Sequence, residues 1–310
     1  MIGESRQLLA VVAAIGKVAA YDVPVLIEGE TGSGKELVAR ELHYRSARKS
    51  QPLVPVNCGA IPDSLVENEL FGHRRGAFTD ARDDQPGLIA LADGGTLFLD
   101  EVDGLPGKGQ VALLRFLQDQ EYRPLGDRGH SIGNVRIIAA SNRDLRALCR
   151  AGEFRLDLFY RLQFFQVLVP PLRERTGDAA VLARHFVSMA AARFRKPETP
   201  IAAETLEWFD RYNWPGNVRE LENLVCREFL LCEDSVLRIP PPANVDVPPG
   251  EAVSYRQAKL QAIEQFERKY LSAAMERCAW NITAASRLIG TERRHLARLL
   301  RKFGITRARA

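Results

Sequence analysis

The sequence predicts an α/β fold on a parallel sheet, followed by a helical region and a second, all-helical unit. Three observations carry this. Apolar runs of strand length recur with helical patterns between them, as in a parallel sheet flanked by helices. A glycine-rich phosphate loop lies between one such run and the next helix. A proline-rich stretch then separates a mildly acidic chain from a basic tail.

Taken in order, Leu8–Ala20 is apolar but carries Lys17. It is too short to span a bilayer and lacks the basic start and cleavage site of a signal peptide, so it reads as an amphipathic helix. Strands are predicted at Val23–Ile27, Leu53–Val56, Thr96–Leu99 and Val135–Ala140. Helices are predicted at Glu36–Arg48 and Gln110–Asp119, and Glu69–Gly72 reads as an apolar turn. Pro170-Pro171 ends the α/β part. A helical stretch runs from Asp178 to Leu231, broken at Trp214-Pro215-Gly216. Ile239–Gly250 holds five prolines and reads as a linker. The expected domains are therefore 1–170 (α/β core), 171–238 (helical lid), 239–253 (linker) and 254–310 (helical).

The chain has 310 residues, enough for about two domains, and a net charge of +4. That sum hides an asymmetry. Residues 251–310 hold thirteen Lys and Arg against five Asp and Glu, a net +8, which leaves −4 for the rest. A basic tail points to nucleic acid. The five cysteines are scattered, and no pair has metal-ligand spacing, so a reducing, cytoplasmic setting and no membrane are expected.

Gly29, Glu30, Thr31, Gly32, Ser33, Gly34 and Lys35 form a G-x-x-x-x-G-K phosphate loop. Its glycines let backbone N–H groups converge on phosphate, the helix N-terminus adds its dipole, and Lys35 reaches the outer phosphates. Glu36 stands where Ser or Thr usually meets Mg2+. Asp100 and Glu101 end an apolar strand, where open α/β sheets bind ligands. After a phosphate loop, Asp100 is expected to hold Mg2+ through water and Glu101 to polarise the attacking water. Arg155 and Arg161 are candidates to stabilise the departing phosphate; either alone also fits a surface ion pair. Gly76, Ala77, Phe78, Thr79, Asp80 and Ala81 set a large aromatic among turn formers, with no periodicity to bury it. Phe78 therefore either packs under its own loop or touches a partner.

Read in order, these motifs resemble the bacterial enhancer-binding proteins, the AAA+ activators of sigma-54 RNA polymerase. The resemblance runs from Gly3-Glu4-Ser5 through Gly29–Glu36, Val56-Asn57-Cys58, Gly94–Glu101, Arg136–Leu145, Pro170–Arg175 and Trp214–Leu221. It implies an AAA+ P-loop NTPase core, for which Glu36 is typical, and binding of ATP with Mg2+. It also implies roles. Asn57 would act as a switch on Glu101, and Asn142 would sense the γ-phosphate. Arg155 and Arg161 would act in trans, and Arg219 in cis from the lid. In such proteins the loop normally reads Gly-Ala-Phe-Thr-Gly-Ala and engages sigma-54. Here Asp80 replaces the second Gly, and Asp tolerates positive φ well enough to keep the turn. Arg74-Arg75 would partly offset the added charge.

Asn281–Lys302 carries a helix-turn-helix pattern resembling the Fis-type domain. Ala284, Ala285, Leu288 and Ile289 would give one apolar face, Gly290 the turn, and Leu296, Leu299 and Leu300 the facing side. Thr291, Arg293, Arg294, His295, Arg298 and Arg301 would meet double-stranded DNA. Ala258–Cys278 would pair subunits into dimers, with a ring, expected to be a hexamer, forming above them. The expected function is ATP-driven remodelling of sigma-54 polymerase, with control by a separate negative regulator. The alternative is a nucleotide-controlled DNA-binding regulator that does not engage sigma-54.

Overall fold

The computed structural model describes residues 1–241, 271, 274, 275, 277, 278, 280–291 and 293–302; for Arg294, Ala297, Arg301 and Lys302 the backbone alone is described. The chain divides into two compact units, Met1–Ala243 and Asn244–Ala310.

The first unit opens with α1 (Arg6–Val18), capped by Ser5 and buried on Leu8, Val11, Ile15 and Val18. Then come β1 (Val25–Glu28), α2 (Lys35–Tyr44), β2 (Leu53–Asn57), α3 (Val66–Phe71), β3 (Gly72–His73), β4 (Gln85–Pro86) and α4 (Leu88–Leu91). They are followed by β5 (Thr96–Asp100), α5 (Gly107–Asp119), β6 (Glu121–Tyr122), β7 (Ser131–Ile132), β8 (Arg136–Ser141), α6 (Leu145–Ala151), α7 (Leu156–Leu162) and β9 (Phe165–Leu168). The order β2-β5-β8-β1-β9 makes a five-stranded sheet, parallel at every pairing. Leu97, Leu99, Ile137 and Ala139 bury one face against α3, α5 and α7. Val25, Ile27, Phe98, Ile138 and Ala140 bury the other against α1 and α2. Both faces are covered, which is why these strands read as continuous apolar runs.

The structure departs from the sequence reading at several points. β9 was not expected; it is four residues long and pairs with β1 at the sheet's edge. Glu69–Gly72 is not a turn: it belongs to helix α3, which ends at Phe71 against Gly72 with φ 76°. The helix predicted at Glu36–Arg48 stops at Tyr44. Arg136 opens the Arg136–Leu145 motif but serves the fold. Its buried guanidinium donates to the carbonyls of Val18, Ala19 and Val23, satisfying the C-terminal end of α1.

The lid comprises α8 (Asp178–Phe194), α9 (Ala203–Phe209) and α10 (Asn217–Leu231). Its core gathers Phe186, Phe209, Trp214, Leu221, Val225 and Phe229. Buried Asp178 clasps the start of the chain: it accepts from Glu4 N (2.7 Å), Ser5 N (2.9 Å) and Ser5 Oγ (2.9 Å), and pairs with Arg175 at 2.8 Å.

In the second unit, helices Ile282–Leu288 and Arg293–Lys302 follow one another through Gly290, φ 65°. Asn281 caps the first by accepting from Thr283 N and Ala284 N. Leu271, Met275, Ala285, Leu296 and Leu300 form its core. Leu288, expected inward, is instead exposed; Ser286 takes a buried place on that helix. Most of the linker 239–253 and of the pairing segment Ala258–Cys278 lies outside the described residues, as do the side chains of Arg294 and Arg301.

Candidate functional site

The phosphate loop runs from the end of β1 into α2, and its glycines are required by contact. A Cβ on Gly29 would lie 2.8 Å from Val169 O, and one on Gly32 2.4 Å from Gly216 O. Gly32 and Gly34 have φ of 76° and 105°. Lys35 Nζ donates to Gly29 O at 2.8 Å and Glu30 O at 3.1 Å, beneath the loop. Burial pulls the Lys35 ammonium below the ordinary lysine range, against the opposing charges of Asp100, Asp103 and Glu101.

β5 delivers Asp100 and Glu101 to the same edge. Burial raises the Asp100 carboxyl, against the hydrogen bond from Glu101 N and the charge of Lys35. Glu101 has φ 50°, the left-handed region, which a non-glycine residue enters at a cost of order 1 kcal/mol. The registered neighbour of Asp100 on β2 is Asn57, whose Oδ1 accepts from Ala60 N at 3.2 Å. Asn57 and Glu101 flank Gly59: a Cβ there would sit 3.3 Å from Asn57 Oδ1 and 3.1 Å from Glu101 Oε2. Gly59 was not singled out in the sequence, since nothing but the fold brings it to Glu101. Buried Cys58 is inert: burial, reinforced by Asp100, pushes its thiol up to about 12.

A cleft of about 300 Å³ gathers Thr31, Lys35, Glu36, Asp100, Glu101, Asn142 and Arg219. Asn142, beyond the end of β8, donates to Thr31 Oγ1 at 3.4 Å. Glu36 lies on the rim, paired with Arg40 at 2.7 Å. A second, apolar cleft of about 370 Å³ opens beside Gly34 and is lined by Ile2, Leu37, His185, Phe186 and Met189. Ser33 is buried there; its hydroxyl meets no hydrogen-bond partner.

The lid is stitched to the phosphate loop. Val218 N donates to Gly32 O at 3.0 Å, and Arg173 pairs with Glu30 at 2.6 Å. Asn217, fully buried with φ 53°, donates to Glu30 Oε2 and Thr31 O, each at 3.1 Å, and accepts from Leu172 N. The Arg173 and Asn217 bonds hold the Glu30 carboxyl down at about 2. Asn217 was missed in sequence. Its signal was an asparagine, the non-glycine residue type that best tolerates positive φ, just before Arg219.

Arg155 and Arg161 are not in this cleft. Arg155 is held by Asp157 through bonds of 3.0 and 2.6 Å. Arg161 lines a separate cavity of about 650 Å³ with Asp157, Tyr160 and Phe164, beside Pro24 and Arg136 at the opposite edge of the sheet.

The Phe78 loop leaves from the β3–β4 hairpin. Gly76 N donates to Ala81 O, and Ala81 N to Phe78 O, so the hexapeptide closes on itself. Phe78 is 46% exposed, and its ring centroid lies 4.9 Å from that of His73, so the ring packs in part at the root of its own loop. Asp80 is exposed and takes a negative φ, so the turn makes no use of its tolerance for positive φ. Nor does Arg74 offset Asp80: it is engaged by Asp84 and Asp127, each at 2.8 Å. Ala81 is buried, and Thr79 is exposed. In the second unit Arg293, His295 and Arg298 are exposed, and Arg298 meets His295 Nδ1 at 2.8 Å. Thr291 is half-buried in the turn.

A parallel five-stranded sheet, a phosphate loop gripped by a helical lid and an adjacent acidic pair define an AAA+ P-loop NTPase. Residues 1–168 match the sigma-54 interaction domain family, 173–240 the AAA+ ATPase lid domain and 262–303 the bacterial regulatory protein, Fis family. The chain belongs to the AAA+ sigma-54-dependent transcriptional activators, the bacterial enhancer-binding proteins. It is 43% identical over 312 residues to the response regulator protein PilR of Pseudomonas aeruginosa, covering 98% of this chain and 70% of that protein. It is 42% identical to the regulatory protein LuxO of Vibrio cholerae, covering 100% of this chain and 62% of LuxO. It is 44% identical to the transcriptional regulator NtrC of Azospirillum brasilense, covering 89% and 56%. The structure of NtrX from Brucella abortus in complex with ATP superposes with a TM-score of 0.75 at 32% identity, over 98% of this chain and 70% of NtrX. The chain thus spans between about half and 70% of the length of these relatives.

Proposed function

We propose that this protein hydrolyses ATP in a ring assembly and uses that work to remodel sigma-54 RNA polymerase at promoters, from DNA sites bound by its Fis-type unit. The observation that carries the reading is the split of charge between two faces. Lys35, Asp100, Glu101, Asn142 and Arg219 share one cleft, while Arg155 lies outside it, held by Asp157, and Arg161 lines a cavity at the other edge of the sheet. That separation supports a reading in which Arg155 and Arg161 serve the site of a neighbouring subunit.

The residues suit a magnesium nucleotide. The glycine cradle admits no side chain at Gly29 or Gly32, and the adjoining apolar cleft has the size and character for a planar base. NtrX, the relative of like fold, is described in complex with ATP. Asp100, with Glu36 across the rim, supplies the carboxylates to hold Mg2+, which when bound neutralises phosphate charge. Lys35 and the loop N–H groups bind and orient the phosphates, and Glu101 accepts a proton from the attacking water. Asn57 and Asn142 tie the position of Glu101 to the state of the outer phosphate, Arg219 contributes from the lid, and Arg155 and Arg161 complete the neighbour's site. In the second unit Arg293, Arg294, His295, Arg298, Arg301 and Thr291 are the proposed DNA contacts. The loop Gly76–Ala81 presents Phe78 and Thr79 to sigma-54. The test is trapping: with a transition-state analogue of ATP hydrolysis, the full chain forms a stable complex with sigma-54. Intact hydrolysis without a trapped complex overturns the sigma-54 assignment.

Asp80 favours a second reading, in which a carboxylate on the exposed loop blocks sigma-54 and the protein acts as a nucleotide-controlled DNA-binding regulator. Asp80→Gly separates the two. Under the first reading the native chain already supports open-complex formation on a sigma-54 promoter, whereas activity confined to Asp80→Gly supports the second.

A further inference from the structure

We propose that His73 is a positioning residue that seats Phe78. The proposal rests on the reading that Phe78 is the loop's contact residue. A histidine only 7% exposed at the root of an otherwise exposed loop calls for a reason. Its backbone is fixed on two sides: His73 pairs with Gln85 across the hairpin and bridges Leu125 on the neighbouring segment. Its ring is fixed on a third. Nδ1 lies 2.7 Å from Asn68 Oδ1 on α3. That contact to the side-chain amide of Asn68 sets the imidazole plane. That plane meets Phe78 at 4.9 Å between centroids and an interplanar angle of 58°. Phe78 has no other ring partner among the described aromatic pairs, and nearly half of its surface faces solvent.

The imidazole is thus a fixed platform, and the phenyl is the part free to leave it. Gly76 has φ 79° and open space around a would-be Cβ, so the backbone beside the loop has room to turn while His73 stays. α3 packs against α4 and α5, so the platform is referenced to the body of the unit and not to the loop itself. Seated, the Phe78 ring keeps part of its surface against the imidazole; unseated, it offers that surface as well. His73 therefore sets the resting height and orientation of the ring from which any movement of the loop starts.

The test reads the ring directly. Phe78→Trp places a reporter on the loop, far in sequence from Trp208, Trp214 and Trp280. In the full chain, adding His73→Ala should move the position-78 emission to the red. It should also shift the seated-to-free balance, read by acrylamide quenching, about two- to tenfold, as expected for loss of one aromatic contact. His73→Phe keeps a ring and should restore most of the shielding, while Asn68→Ala should give a partial loss. ATP turnover should stay within about twofold in all three, which also certifies folding. Quenching unchanged in His73→Ala, with turnover intact, overturns the seat. If His73→Ala abolishes turnover, Asn68→Ala and His73→Phe decide by the same quenching readout. The sigma-54 assignment is judged separately, by trapping of the unsubstituted chain. Lost trapping there, with the quenching shift present, defeats that assignment and leaves the seat standing.

Discussion

Glu101 sits at the end of β5 in the left-handed region, between Asp100 and the flat face of Gly59. That backbone fixes where the side chain starts, which suits its proposed role as the base that meets one water. Glu101→Gln keeps the shape and removes the base. Steady-state ATP turnover should fall by about 10²–10⁴-fold, with nucleotide binding by calorimetry within a few-fold of native. Asp178 makes a contrasting point about charge. Burial raises its carboxyl, but the bonds from Arg175, Glu4 and Ser5 outweigh burial and leave it below the usual carboxylate range. A depressed folded value means stability that is present above the unfolded carboxyl value, about 3.9, and is lost as the pH falls through the lower folded one. Asp178→Asn should cost about 3 kcal/mol at neutral pH, because Arg175 is left buried without its partner. In denaturant titrations its deficit against the native chain should narrow below about pH 4.

At the scale of elements, the join between α10 and the phosphate loop carries the most information. Asn217 opens α10 and makes three bonds from a strained backbone. Asn217→Ala loses the bonds and keeps the strain, for about 2–4 kcal/mol, whereas Asn217→Gly loses the bonds and relieves about 1 kcal/mol of strain. Chemical denaturation should therefore rank native above Gly above Ala. Ala equal to Gly would remove the backbone from the account. Elements of this kind explain what was legible in sequence. Four strands were readable because both faces of the sheet are covered and their apolar runs are unbroken. β9 was not, because four residues, Phe165–Leu168, follow directly on apolar α7 with no punctuation between them. α3 read as a turn because Glu67, Asn68 and Glu69 interrupt its apolar face, which is only Val66 and Leu70. In the candidate site, Lys35, Asp100 and Glu101 were readable as types at a spacing, and Asn142 and Arg219 through the family resemblance. Gly59, Asn217 and His73 were not, because their positions are set by contacts between segments far apart in the chain. Leu288 was misassigned because helical periodicity marks a face as apolar without saying whether anything covers it.

For the whole assembly, the separation of Arg155 and Arg161 from the cleft makes a sharp expectation. Arg161→Ala and Glu101→Gln should each be nearly inactive alone. Mixed in equal amounts, they should regain up to about a quarter of native turnover, because an Arg161→Ala subunit keeps Glu101 and receives Arg161 from its Glu101→Gln neighbour. No recovery in mixtures that still co-assemble would mean that the arginine serves its own subunit. Asp157 bears on the same proposal, since it holds Arg155 through two hydrogen bonds.

The stitching between lid and core has a consequence for heat. The Asp178 clasp, the Arg173–Glu30 pair and the Asn217 bonds all cross between the α/β core and the lid, and two of these three are buried. Neither layer can melt without exposing the polar groups that the other satisfies. A calorimeter should therefore record residues 1–243 as a single endotherm, with calorimetric and van't Hoff enthalpies in agreement. Breaking Asp178 and Asn217 together should split that peak in two.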